Sequence, residues 1–350
     1  MTQASSSLPT KVVTLEHLIL DTFTRVGEDD VERPVEQPDQ IGGGGTYTTI
    51  GARIFLPPSR VGMIVDYTPE TLPSEIQDTL KGYGEDVWFF RRRQDGHPTA
   101  RAVNRYKGQV RGFEYLTKPL LLTPESLSGT PFEDPLPSTI HFISYPAPRA
   151  EKILSEVRKL KAAKGWNPKI VWEPEDEALE DLRSVASELD VIGPNHNEAL
   201  GLFSLICPSS FTDDDIKSTL TRVCRQLAYL RPRVGAVIRA GHMGCCYAST
   251  ETEGYRPEVK WVPAYWNEKR EGYKEKVVDP TGAGNAFMGG LAAALDEGND
   301  LDEAVKWGSV AASFTIEQNG LPTLTTGPDG KELWNGEDPL ERLKSLRCKQ

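Results

Sequence analysis

From about residue 138 onward, short apolar runs alternate with longer segments of helical period, and this alternation constrains the fold more than any other feature of the chain. "TIHFISY" and "KIVWEP" read as strands, brief apolar runs rich in β-branched and aromatic residues. Between them, "AEKILSEVRKLKAAKG" puts Ile153, Val157 and Leu160 on one stripe and stops at Gly165, the pattern of a helix with a glycine end. "ALEDLRSVASELD" repeats Leu179, Leu182, Val185 and Leu189 and predicts a second helix; "VIGPN" is a short strand ending. "FTDDDIKSTLTRVCRQLAYL" predicts a third helix, with Thr212 or an aspartate as cap and Ile216, Leu220, Val223 and Leu227 inward. "VGAVIRAGHMGCCYA" reads as two strands around a glycine-bounded turn, and "DEAVKWGSVAASFTIE" as a closing helix. Strands alternating with helices imply an α/β fold, a mostly parallel sheet with helices on both faces. Ligands in such sheets sit beyond the carboxyl ends of the strands. Asp21, Asn195, Gly241 and Gly282 each follow an expected strand end, so they are candidates for one rim.

The first half of the chain is less regular. "KVVTLEHLILDTF" predicts a buried strand ending at Asp21. Residues 27–40 are acidic, interrupted by proline and nearly free of large apolar groups, which predicts a loop or projecting flap. In "IGGGGTYTTIGARIF" the four glycines allow close backbone approach, and Ile50 and Ile54 suit a helix starting just past them. Residues 98–116 resemble a hairpin turning at Lys107–Gly108, and with the flap they predict a small β-lid built from segments of about 22–41 and 98–116. The expected organisation is a disordered tail over 1–10, one α/β domain over 11–325 and a C-terminal segment over 326–350.

Composition narrows the partners. A net charge of -11 over 350 residues argues against a general nucleic-acid binder, because phosphate backbones demand a basic face. The one basic run, Arg91 to Arg93, reads as a solvated strand end or loop. Five cysteines without a C-x-x-C pair fit a reducing compartment, and adjacent Cys245 and Cys246 should point to opposite faces of a strand. No apolar signal core opens the sequence and no apolar run reaches the length of a membrane span. The expectation is a protein of the cytosol, or of cytosol and nucleus, without membrane or nucleic-acid partners. His17, His97, His141, His196 and His242 never fall in H-x-x-x-H spacing, which argues against a His-rich zinc site.

"VVDPTGAGNAFMGGLAAALDEG" carries the chemistry. It reads as a short apolar strand, a tight turn at Gly282, Ala283 and Gly284, and a helix. The first turn of a helix leaves N–H groups without partners, and the helix dipole adds partial positive charge there. Glycines remove the side chains that would hold an anion away, so the turn is built like a phosphate cradle. No Gly-Lys-Ser/Thr follows, which excludes a Walker loop, and Phe287 stands where a dinucleotide fingerprint needs its third glycine. The same spacing also suits a close-packed strand-to-helix turn, and spacing alone does not choose between the two.

"VVDPTGAGNAF" closely resembles the second signature of the ribokinase-like, PfkB-type carbohydrate kinases, D-T-x-G-A-G-D-x-F, with Pro280 and Asn285 as departures. Weaker likenesses lie where that family would place them: Asp21, the glycine run Gly42, Gly43, Gly44 and Gly45, the N-x-x-E pair Asn195 and Glu198 in "PNHNEA", the turn Gly241 to Gly244 after Arg239, and a lid strand in "KGQVRGFEY". The proline and asparagine variant suggests the fungal maintenance-of-killer branch. The resemblance implies a three-layer ribokinase-like sandwich that binds ATP and transfers phosphate to a sugar-like hydroxyl. It implies that amides of Gly282, Ala283 and Gly284 stabilise the transferring phosphate, that Arg239, Gly241, Gly244 and Thr281 lie on the nucleotide side, and that Asn195 and Glu198 organise Mg²⁺ through water. It further implies that Asp279 and Thr281 help hold a monovalent cation such as K⁺, that Asp21 and the glycine run hold the acceptor, and that the protein is a monomer or a homodimer formed through the lid.

The departure at Asn285 bears on activity. In the family an aspartate there takes the proton of the attacking hydroxyl. A neutral amide can accept a hydrogen bond but cannot usefully accept that proton near neutral pH. Losing a general base typically costs about 10²–10⁴-fold in rate, roughly 3–5 kcal/mol of barrier. Phosphoryl transfer relies mainly on positioning and electrostatics, so Asn285 is compatible with a slow kinase and with a degenerate, regulatory or scaffold relative. A second departure is Tyr47, near where the family commonly has an asparagine.

Overall fold

The structure is a computed structural model. It describes all residues except 1–10, 28, 36–38, 108–109, 118–119, 145–148, 176–178, 251–255 and 349–350. The tail expected to be disordered, part of the flap and Gly108 of the expected hairpin turn thus lie outside the described residues.

The chain enters as β1 (Val12–Thr14), bends, and leaves as β2 (Ile19–Val26). β3 (Glu32–Pro34) and β4 (Gln40–Gly42) return antiparallel to β2. Then come α1 (Gly44–Arg53), β5 (Val61–Tyr67), α2 (Ser74–Lys81) and β6 (Trp88–Arg92). β7 (Arg101–Lys107) and β8 (Val110–Tyr115) pair antiparallel, and β7 lies parallel to β2. The regular part runs through β9 (Thr139–Ile143), α3 (Ala150–Lys164), β10 (Lys169–Glu173), α4 (Leu179–Val185), β11 (Val191–Ile192), α5 (His196–Leu202), α6 (Asp213–Tyr229) and β12 (Gly235–Arg239). β13 (Cys245–Ser249) and β14 (Lys260–Val262) fold back antiparallel. α7 (Tyr273–Lys276), α8 (Ala283–Asp296), α9 (Leu301–Thr315), the hairpin β15 (Leu324–Thr326) and β16 (Glu332–Trp334), and α10 (Pro339–Arg347) complete the chain.

Nine strands form the central sheet in the order β14-β13-β12-β11-β10-β9-β1-β5-β6, parallel except where β13 and β14 join. One apolar core joins it to α1, α8, α9 and α10, and the other to α3, α4, α5 and α6. This is the three-layer sandwich expected from the alternation. Strands buried on both faces read as continuous apolar runs: Val171 enters the first core while Ile170 and Trp172 enter the second, and Cys245 and Cys246 divide the same way. Helix ends follow the residues that mark them. Gly165 ends α3 at φ 71°, and Thr212 with Asp215 forms a capping box on α6. The second sheet, β3-β2-β7-β8 with β4 also on β2, is the small lid sheet.

Several expectations are corrected. The strand expected to end at Asp21 is two strands, and Asp21 lies inside β2, in the second sheet. The break has a polar cause: the Glu16 N–H turns onto Thr14 Oγ1 at 3.2 Å, and the Glu16 carboxylate takes the Ile143 N–H and the Arg149 guanidinium. No strand leads into the glycine turn. Val277 and Val278 follow α7 exposed, held by the Val278 N–H on the Ile316 carbonyl at 2.8 Å. α1 begins at Gly44, within the glycine run rather than past it. The basic run is only partly solvated: Arg91 pairs with Asp66 and buried Arg93 with Asp95. Residue 325 lies inside β15, and Trp334, Leu343 and Leu346 of the segment after it join the first core.

One helix contact positions the site. A Cβ on Gly289 would overlap the Thr48 carbonyl, and one on Gly51 the Ala286 carbonyl, so α1 and α8 cross backbone against backbone. That contact brings the two glycine-led N-termini together: a Cβ on Gly44 would lie 3.3 Å from Asn285 Nδ2.

Candidate active site

The glycine turn is open and lacks a side-chain cap. Gly282 takes the left-handed conformation at φ 76°, which costs other residues about 1–2 kcal/mol. Asp279 Oδ1 accepts from the Thr281 N–H at 2.9 Å and fixes the approach to the turn. The Ala283 N–H donates to the Pro280 carbonyl at 3.2 Å, so Ala283 is not one of the free donors. The N–H groups of Gly282, Gly284 and Asn285 have no partner among the described residues. The cradle is therefore made by these three, and Ala283 leaves the expected set.

Behind the cradle stands a buried charge network. β10 ends on Glu173, whose side chain is 4% exposed. Its Oε1 accepts from His141 Nε2 at 2.8 Å and from Asn285 Nδ2 at 3.1 Å, and its Oε2 lies 2.6 Å from Arg239 Nη2. Thr14 Oγ1 lies 3.0 Å from the other ring nitrogen of His141. Burial pushes the Glu173 carboxyl up, but the Arg239 charge and the hydrogen bonds from His141 and Asn285 outweigh it, and the net direction is down. Glu173 is thus an anion that holds the Asn285 amide by its nitrogen. The Asn285 carbonyl oxygen is left to accept from a donor in the site.

Arg239 ends β12, bridged to Asn195 by its N–H on the Pro194 carbonyl at 3.0 Å. Gly241 and Gly244 close the turn just after it, with the Ala240 N–H on the Gly244 carbonyl at 2.7 Å. Their observed part is to shape the turn that carries Arg239. His242, in the same turn, is exposed and paired with Asp213 on α6 at 2.8 Å. Asn195 and Glu198 meet as expected, but as a capping box on α5: the Asn195 N–H donates to Glu198 Oε2 at 2.8 Å and the Asn195 amide nitrogen donates to Oε1. Arg239 Nη2 stands 3.5 Å from the same Oε2. Burial pushes the Glu198 carboxyl up, with Arg239 acting against it. The described residues contain no group of three or more His, Cys, Asp or Glu side chains able to hold a metal ion. Both Glu198 oxygens accept a hydrogen bond from Asn195 and a guanidinium faces one of them, which disfavours direct ligation of Mg²⁺ by this pair and bears less on contact through water. Asp279 uses one carboxylate oxygen, Oδ1, to hold its own turn.

The acceptor end is packed tightly. The Asp21 carboxylate lies against Gly42, where a Cβ would overlap it. Gly43, at φ 93°, faces the His17 carbonyl, and Gly45 faces the backbone of Glu16. Tyr47 is 4% exposed, and its ring lies flush against Gly282. His17 lies 3.4 Å from the Tyr115 hydroxyl, and burial pushes its pKa down. Arg149 donates to Glu16 and to the carbonyls of Ile143, Leu15 and Leu122.

The structure brings Asn285, Gly44, Gly282, Gly284 and Arg239 together, with Glu198 behind Arg239. Sequence reasoning missed Glu173 and His141. The signal for Glu173 was present: "KIVWEP" ends a fully apolar strand on an acid, at the strand end where α/β sheets place ligands. His141 sits inside an apolar strand, where nothing local marks it.

The fold is that of the ribokinase-like proteins, and comparison with known proteins agrees. The pfkB family carbohydrate kinase profile matches residues 137–326, more than half of the chain, which belongs to that family. Among its relatives, Protein MAK32 of Saccharomyces cerevisiae is 29% identical over 335 residues, covering 90% of this chain and 88% of that protein. An uncharacterized protein of Schizosaccharomyces pombe is 32% identical over 337 residues, covering 87% and 86%. These two place the chain on the fungal maintenance-of-killer branch. Ribokinase from Cryptococcus neoformans, solved in complex with ADP, superposes with a TM-score of 0.63 at 17% identity, covering 97% of this chain and 100% of that one.

Proposed function

We propose that this protein is an ATP-dependent phosphotransferase acting on a hydroxyl of a sugar-like substrate, with a slow chemical step. The observation that carries this reading is the open amide cradle of Gly282, Gly284 and Asn285, lying beside the Asn285 side chain. Three N–H groups and the α8 dipole would stabilise the charge spread over a transferring phosphoryl group. The acceptor hydroxyl would donate to Asn285 Oδ1, which orients it without taking its proton. Such a site works by holding phosphate and hydroxyl in line, which phosphoryl transfer tolerates because its transition state is loose. Asp21 and the glycine loop would border the acceptor. The ADP complex of the Cryptococcus ribokinase supports the nucleotide assignment. No step is routed through a divalent metal.

A second reading, a nucleotide-binding relative without turnover, is favoured by two observations: Asn285 is anchored to Glu173, and Tyr47 fills space beside Gly282. The test is ATP binding by calorimetry followed by a coupled ADP-release screen across sugars and polyols. Turnover supports the first reading, and binding without turnover on any acceptor supports the second. Absence of ATP binding removes both.

A further inference from the structure

We infer that Arg239 is a built-in cation of the phosphate end, so that this protein binds the phosphates of a nucleotide without a divalent metal. The inference rests on the nucleotide reading above and deepens it.

Arg239 is 9% exposed, and its guanidinium lies between two layers. On one side are the carboxylates of Glu173, 2.6 Å from Nη2, and Glu198, at 3.5 Å. On the other is the start of α8, where a Cβ on Gly284 would lie 2.6 Å from Nη1. Nε has no hydrogen-bond partner, and the contact of Nη2 with Glu173 is an ion pair outside hydrogen-bond angles. Nη1 also has no partner among the described residues, and it lies beside Gly284, at the first turn of α8. A guanidinium is planar, permanently charged and matched to phosphate oxygens. Glu173 contacts both Arg239 and the Asn285 side chain, while Nη1 is left on the side of Gly284.

The usual alternative is a divalent cation carried by the nucleotide and steadied by one or two carboxylates. The carboxylates at this end are Glu173, which pairs with Arg239 and accepts from His141 and Asn285, and Glu198, whose oxygens each accept from Asn195 with Arg239 beside one of them. A metal bound directly to Glu198 would share its oxygens with Asn195 and would sit against a fixed positive charge. Gly284 is a glycine for the same reason: any side chain there would collide with Nη1 and close the gap through which it reaches the cradle.

The experiment is calorimetric titration of the full-length protein with ATP and, separately, inorganic tripolyphosphate, each in excess EDTA and in excess Mg²⁺. The expected result is an affinity in EDTA within about threefold of that in Mg²⁺ for both probes. Arg239→Gln should lose at least tenfold in EDTA. Because Arg239→Gln leaves Glu173 buried without its cation, the paired variant Arg239→Gln with Glu173→Gln serves as the folded control and should show the same loss. Binding by wild type only with Mg²⁺, or unchanged metal-free binding by the paired variant, overturns the inference and leaves the nucleotide reading intact. No binding under either condition overturns both.

Discussion

Two helices of this protein begin with glycines, and they use them in opposite ways. At α8 the glycines leave amides bare: Gly282 turns the chain, and Gly284 admits the Arg239 guanidinium. At α1 they admit protein. Gly42 makes room for the Asp21 carboxylate, Gly43 for the His17 carbonyl and Gly45 for the Glu16 backbone. The first is shaped for an anion and the second for close packing. The phosphate end is thus ready for a ligand, while the acceptor end is largely occupied by its own backbone and by Tyr47. The difference teaches that a glycine run gives permission for close approach, and that the neighbours decide what approaches.

Substitutions can break this comparison. The largest effect is expected from Glu173→Ala, which leaves Arg239 buried without its nearest anion and frees Asn285. The loss should be about 3–5 kcal/mol, read by urea unfolding. A loss below about 1 kcal/mol would mean that Glu173 does not organise the phosphate end.

Next is Asn285→Asp. A carboxylate placed about 3 Å from Glu173 makes a like-charge pair in which one member keeps a proton, so this variant should gain little turnover at neutral pH. Combining it with Glu173→Gln moves the negative charge to position 285, and ADP release should rise at least tenfold over the single variant. Equal rates for the two variants would dismiss Glu173 as the obstacle.

A matched pair of glycine substitutions compares the two helices directly. Gly282→Ala forces a side chain into the left-handed conformation, costing about 1–2 kcal/mol, and Gly43→Ala forces one at φ 93° against the His17 carbonyl. Gly282→Ala should weaken ATP binding about tenfold or more, because its Cβ also collides with Tyr47. Gly43→Ala should lower the melting temperature with ATP affinity kept within about twofold. If Gly43→Ala lost ATP binding as strongly, the two ends would not be separable.

The smallest effect concerns acid. Glu173 is held below its ordinary value of about 4.5, so its charge contributes stability in full above that pH, and the contribution fades as pH falls through the folded value. The stability gap between wild type and Glu173→Gln should narrow between pH 7 and pH 3. A gap that widened as pH falls would show that Glu173 is protonated in the folded protein.

Much of the architecture was legible because it depends on local, repeating patterns. The alternation after residue 138, the Gly165 stop and the Thr212 cap each follow from residues a few positions apart. The division of Cys245 and Cys246 follows from the two-residue period of a strand. The errors arose where a distant partner decided. Glu16 looked like an interior residue of one long strand until Arg149, far along the chain, gave its carboxylate a buried partner and bent the backbone. Val277 and Val278 looked like a buried strand, but the sheet ends at β14 and offers them no neighbour.

By itself, the sequence determined the layer order, the helix ends and the presence of bare amides at the start of α8, because period and turn chemistry are properties of a short stretch of chain. Tertiary structure alone decided that Glu173, His141, Arg239 and Asn285 form one network, since they come from four separate elements. It also decided that one glycine run leaves its amides bare while the other faces protein. Burial and charge pairing are set by what the fold brings close, and neighbours in sequence carry no record of it.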